Sequence, residues 1–215
     1  MLKPRTIKLM LASAVLAAAG AFAFQHFNKP APSETARLVE QYQIKRHFGM
    51  AWGTYWTHCG VGLSADHVFR EVRTTLPEGF EEAVSRDPRI DVAWLGEWAC
   101  DAPEEPREGQ RVIIVGFPAG ADEPSHRDAV VYFKRSVSGS DGYETPTWIA
   151  IMEETTDEPV VGGMSGSPVI DRETGEPVGI LVTSNSPTEL DSSRLGMEFS
   201  ADFVALTDAV RVLNE

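Results

Sequence analysis

Gly162-Gly163-Met164-Ser165-Gly166-Ser167-Pro168-Val169-Ile170 is the stretch on which the reading of this 215-residue chain turns. Glycines on both sides of a serine let the backbone turn sharply and leave peptide N–H groups unshielded. A carbonyl can then approach the hydroxyl and those donors together. A plain turn between two strands would need neither property, so the question is whether the chain also supplies partners for the hydroxyl.

A serine nucleophile needs an imidazole to take its proton and a carboxylate to orient that imidazole. The five histidines, His26, His47, His58, His67 and His126, all precede Ser165. The α/β-hydrolase order, with histidine after serine, is thereby excluded, and Ser167 replaces the last glycine of that elbow. The subtilisin order needs an aspartate well ahead of the histidine, and none precedes Asp66. The order His, Asp, Ser remains, which is the chymotrypsin order.

His67 lies in Val61-Gly62-Leu63-Ser64-Ala65-Asp66-His67-Val68-Phe69, an apolar strand that ends in small residues and then presents an imidazole. His58, beside Cys59, lacks that small-residue approach and reads as a partly exposed hairpin residue. His26, His47 and His126 lie in polar surroundings and read as surface residues. The carboxylate is Asp91 in Asp87-Pro88-Arg89-Ile90-Asp91-Val92-Ala93-Trp94-Leu95. An acid at the mouth of a buried strand is costly unless paired, and an imidazole N–H would pair it. Asp87 is the better residue to close the turn around Pro88.

With these residues in place the chain resembles the trypsin-like serine proteases, and more narrowly the bacterial HtrA-type protease domain. The resemblance runs from about Phe48 to the C-terminus, through Trp52-Gly53-Thr54, Leu63 to Val68, Arg86 to Ala93, Glu108 to Pro118, Gly163 to Val169, Pro177 to Thr183 and Gly196 to Phe199. It departs at Asp66, where the family has alanine, and at Met164, where it has asparagine or aspartate. The resemblance implies an all-β fold of two six-stranded antiparallel β-barrels with a short C-terminal helix. It also implies a polypeptide substrate and no metal or cofactor. The backbone N–H groups of Gly163 and Ser165 would form the oxyanion hole, and Val182, Thr183 and Ser184 would pair with the substrate backbone. Because no histidine follows His126, the histidine-lined pocket of glutamate-specific relatives is not expected. A small or medium apolar residue is expected at the cleavage position.

Short apolar strands punctuated by glycine and proline fit that fold. Barrel one is expected over about 48–100, an acidic crossing over 101–108, and barrel two over about 110–199. The apolar spacing of Phe203, Val204, Leu206, Val210 and Leu213 predicts a helix over about 201–213. If His67 ends one strand and Asp91 begins its antiparallel neighbour, Cys59 and Cys100 both fall at the far end of that ladder, and a disulfide between them is expected.

Lys3, Arg5 and Lys8 precede the apolar run Leu9 to Phe24, with Ala19-Gly20-Ala21 and Ala21-Phe22-Ala23 as candidate cleavage sites. Residues 1–24 are thus expected to be a signal peptide or an N-terminal anchor, and no cysteine stands by for lipid attachment. The protein is expected to be exported, periplasmic or secreted. A linker and a short helix capped by Ser33 should occupy 25–45. Residues 46–215 suffice for one protease domain and leave no room for a PDZ domain. The formal net charge of −13 speaks against nucleic acid and anionic membrane surfaces as partners. A second reading keeps the fold as a binding or scaffold module, because Asp66 beside His67 would hold the imidazole protonated.

Overall fold

In the computed structural model, the residues described are 33–47, 53–70, 85–87, 89–101, 103–138, 144–153, 162–185 and 200–214. The leader, Trp52 and the Gly196–Phe199 block lie outside them. A helix, α1 (Glu34–Gln41), leads into β1 (Lys45–His47), β2 (Gly53–His58) and β3 (Val61–Ala65). A short helix α2 (Asp66–Arg70) follows, then β4 (Ser85–Asp87) and β5 (Val92–Leu95). The second half comprises β6 (Arg111–Gly116), β7 (Ser125–Ser138), β8 (Glu144–Met152), β9 (Pro168–Asp171), β10 (Pro177–Asn185), β11 (Ser200–Ala205) and α3 (Leu206–Leu213).

The second half closes into a six-stranded barrel in the order β10-β11-β8-β7-β6-β9, all pairs antiparallel. The first half, among the described residues, is a five-stranded sheet ordered β1-β2-β3-β5-β4. It begins at Lys45, three residues before the expected start, because Lys45 to His47 pair with Tyr55 to Gly53.

Strand β6 shows why the two halves hold together. Its Val112 and Ile114 join a core with Val131, Val169, Leu181 and Phe203, while Ile113 and Val115 join a second cluster with Trp56, Leu63, Ile170, Ile180 and Val204. That second cluster takes side chains from both halves, so β6 is buried on both faces and is apolar without alternation. Each such buried side chain contributes about 1.5–3 kcal/mol relative to exposure.

The C-terminus departs from the helix expected over 201–213. Residues 200–205 are the strand β11, pairing with β8 and β10, and the helix starts at Leu206. Ala201 to Ala205 are buried on both faces of the barrel wall, Asp202 included, so polarity does not alternate along the segment and no period separates strand from helix. The helix itself has the expected face, with Leu206, Ala209 and Val210 buried. Cys59 and Cys100 form a disulfide with Cα atoms 5.5 Å apart. Ala99 N–H also donates to the Cys59 carbonyl at 2.9 Å, tying the same two ends.

Candidate active site

All five residues of β3 are buried, and the strand stops where α2 begins, so His67 emerges one residue into the helix with its side chain 38% exposed. Strand β5 runs antiparallel beside β3, pairing Ala65 with Val92, which sets Asp91 against the start of α2. Asp91 adopts the left-handed backbone conformation, φ 53°, which aspartate tolerates better than most residues. In that conformation its carbonyl accepts the Asp66 N–H at 3.0 Å, its Oδ1 accepts the His67 backbone N–H at 2.8 Å, and its Oδ2 lies 2.7 Å from His67 Nδ1. A carboxylate can only accept here, so the Nδ1 proton belongs to this bond and the Nε2 lone pair is left to act as a base. Asp87 performs the turn duty read for it, accepting the Arg89 N–H at 2.8 Å.

The loop bearing Ser165 joins the second barrel but is pinned by the first sheet. Thr54 N–H donates to the Ser165 carbonyl at 2.8 Å, Thr54 Oγ1 to the Gly163 carbonyl at 3.3 Å, and Trp56 Nε1 to the Gly166 carbonyl at 3.0 Å. Gly166, φ 87°, presses against β3 so closely that a Cβ would stand 3.0 Å from the Ala65 nitrogen and collide with the Thr54 carbonyl. This contact brings the serine loop to within two residues of His67 along the chain. Gly163, φ 94°, is equally constrained, since a Cβ would lie 2.6 Å from the Ala119 nitrogen.

Ser165 is half-buried, and its Oγ donates to the Val182 carbonyl at 3.5 Å. Among the described residues, the N–H groups of Gly163 and Ser165 have no backbone acceptor. Two such donors flanking one residue of a glycine-bent loop are groups that an oxyanion could use. Met164 is fully buried in the barrel core, so the loop is anchored by an apolar side chain between those donors. Strand β9 stops pairing with β10 at Ile180, Val182 sits at a bulge, and beyond it, among the described residues, Thr183 to Asn185 pair with a strand only on the β11 side.

The other histidines stand apart. His58 ends β2 opposite Val61, at the end of the β2–β3 hairpin away from His67, among the rings of Tyr42, Trp56 and Trp98. Burial pushes its imidazole below the ordinary value, and Glu176, at 3.9 Å, pulls it back up. His126 is half-buried rather than a surface residue, because its Nδ1 meets Thr35 Oγ1 at 2.6 Å. Thr54, Trp56 and Ser64 are residues that the sequence did not single out for the site. For Ser64, a polar side chain in an otherwise apolar strand is the one signal, and it spends its hydroxyl on the Thr54 carbonyl at 2.7 Å.

Comparison with known proteins gives one family match and several likenesses of fold. Residues 83–180 match the model of the trypsin-like peptidase domain. No curated protein matches the chain. Among solved structures it is similar to an inactive serine-to-alanine mutant of Rv3671c from M. tuberculosis H37Rv, at 18% identity over 86% of this chain and 93% of that one, TM-score 0.59. It is also similar to the MamO protease domain from Magnetospirillum magneticum, at 15% identity over 77% and 91%, TM-score 0.52. The HtrA-type protease AlgW, an alanine variant with a tripeptide, matches at 15% identity over 84% of this chain and 62% of its own, TM-score 0.57. Residues 83–180 thus match the trypsin-like peptidase domain, and the chain shares its fold with these chymotrypsin-like protease domains.

Proposed function

We propose that this chain is an exported serine endopeptidase in which His67, Asp91 and Ser165 act as one unit. The observation that carries the reading is the double hold of Asp91 on His67, beside a serine loop seated against β3 through Gly166. Ser165 Oγ attacks the substrate carbonyl carbon while its proton passes to His67 Nε2, and the carbonyl oxygen takes the negative charge toward the N–H groups of Gly163 and Ser165. Collapse breaks the C–N bond, the imidazolium returns its proton to the leaving amine, and an ester to Ser165 remains. Water then attacks the ester with its proton going to His67, and Ser165 regains a proton as the carboxylic acid departs. Asp91 steadies the imidazolium in both halves.

Export rests on the basic and then apolar leader, and the disulfide suits an oxidising compartment. Labelling with a fluorophosphonate probe, followed by peptide mapping, tests the enzyme: covalent capture at Ser165 supports it. The binding-module reading draws on Asp66, fully buried and adjoining His67 in the chain. Absence of capture in folded protein would favour it.

A further inference from the structure

The peptide between Gly162 and Gly163 carries one of the two proposed oxyanion donors, and glycine on both sides leaves it free to face either way. Its orientation is imposed from outside, by Ala119, whose N–H donates to the Gly162 carbonyl at 2.6 Å. A trans peptide points its C=O and N–H in opposite directions, and this one is trans. With the carbonyl turned to Ala119, the Gly163 N–H therefore faces away from Ala119.

Ala119 belongs to the turn Pro118–Ala121, closed by the Ala121 N–H donating to the Pro118 carbonyl at 3.0 Å, with Gly120 at φ 79°. The far end of this turn is gripped from the first sheet. Arg46 of β1 donates through Nη1 to the Ala121 carbonyl at 2.9 Å, and the same nitrogen lies 3.2 Å from Asp122 Oδ1. The Arg46 side chain is 11% exposed and that of Asp122 is 99% exposed, so the ion pair is open to screening and the bond to the carbonyl is the enclosed one. A guanidinium donor makes that bond charge-assisted and stronger than a neutral one.

The register of β1 on β2 explains why the grip falls here. Arg46 stands directly opposite Thr54, so the two side chains leave the same face of the sheet. Thr54 Oγ1 touches both loops, accepting the Phe117 N–H at 3.2 Å and donating to the Gly163 carbonyl at 3.3 Å. The β1–β2 pair, the turn and the serine loop thus form a closed ring of hydrogen bonds, and Arg46 is the member that holds the far end of the turn. We infer that Arg46 is a positioning residue for the oxyanion hole, acting through Ala121 and Ala119 on the 162–163 peptide. Without its bond the turn loosens and the peptide turns over in part of the molecules. Turnover then falls with the fraction whose Gly163 N–H still faces outward, while binding of the ground-state substrate hardly changes.

This inference rests on the proposed peptidase activity, and the test separates the two. Steady-state cleavage of one peptide is measured for the full exported chain and its variants, with circular dichroism to confirm the fold. Arg46→Met, which fills similar space without a donor, should lower kcat by about tenfold or more with KM within about twofold. Arg46→Lys, which restores a donor without the guanidinium fork, should fall only about threefold. Asp122→Asn, which removes the ion pair and leaves the carbonyl bond, should match wild type. Inhibition by a peptide aldehyde, whose adduct on Ser165 places its oxygen at the oxyanion position, should weaken in step with kcat, and the pH profile should stay where His67 sets it. A wild-type kcat in Arg46→Met, or in Arg46→Lys if the methionine variant does not fold, overturns the inference and leaves the peptidase reading standing. So does a loss confined to KM, or a fall in kcat with aldehyde inhibition unchanged. No cleavage by wild type together with no fluorophosphonate capture overturns both.

Discussion

Asp91 holds His67 at two points, its Oδ2 2.7 Å from the ring Nδ1 and its Oδ1 2.8 Å from the backbone nitrogen. The second bond fixes where the histidine sits, and the first fixes which ring nitrogen carries the proton. Asp91→Asn should separate these duties, since asparagine also tolerates the left-handed backbone and its Oδ1 can still accept the main-chain N–H. Its amide would donate toward Nδ1, move the ring proton to Nε2 and remove the base. A fall of about 10⁴-fold in kcat is expected with the fold retained. Peptide hydrolysis with circular dichroism checks it, and a loss under tenfold would contradict the assigned role.

The disulfide clamps the ends of β3 and β5 that lie opposite His67 and Asp91. It spans 41 residues of sequence, for which the chain-entropy relation gives about 4 kcal/mol. Cys59→Ser/Cys100→Ser should lower Tm by about 8–16 °C. Thermal melts of the two proteins read this directly, and an unchanged Tm would show that the ladder holds without its clamp.

Met164 is completely enclosed, so the loop should respond to its size and charge. Met164→Leu should cost less than about 1.5 kcal/mol, whereas Met164→Asp would bury an uncompensated charge at about 3–5 kcal/mol. For the same reason no N-terminal amine is needed to order the loop. A version starting at Ser33 should change kcat/KM by less than about tenfold when its N-terminus carries a blocking extension, a difference of about 1.4 kcal/mol in transition-state stabilisation. A larger fall would mean that a free N-terminus does take part.

Burial keeps His58 neutral in the folded chain below the pH at which it protonates in the unfolded one. The folded state then binds fewer protons, so this residue's contribution is complete above about pH 6.5 and is lost as pH falls through the lower, folded value. Comparing the Tm of wild type and His58→Gln from pH 7.5 down to 5 should show the steeper decline in wild type. Parallel curves would remove His58 from the acid response.

Tyr42 works in the opposite pH range. Burial first, and then the charge of Glu176, push its phenol up to about 12, and its hydroxyl donates to the Gly175 carbonyl. The folded chain holds this proton while the unfolded chain loses it from about pH 10, so stability should decline as pH rises through 10 to 12. Tyr42→Phe should be less stable at pH 8 and should flatten that decline in a urea series. An equally steep fall would contradict the assignment.

The order of histidine, aspartate and serine along the chain, with the small-residue approach to His67 and the buried strand after Asp91, pointed to His67, Asp91 and Ser165 as candidates, and the structure joins the first two of them. Chemistry needs fixed residue types, and only one order of them is available here. The disulfide partners were legible for a related reason, because antiparallel register turns counts along the chain into positions on a ladder. The strand at 200–205 was not legible, since a segment buried on both faces loses the alternation that would distinguish it from a helix. Nor were the seat of the serine loop on Thr54, Trp56 and Ala65, or the grip of Arg135, from β7, on Asp202 of β11 across the intervening β8. Those contacts join residues 67 to 112 positions apart. Which ones meet is set by barrel closure and the packing of the two halves, and local sequence holds no record of either.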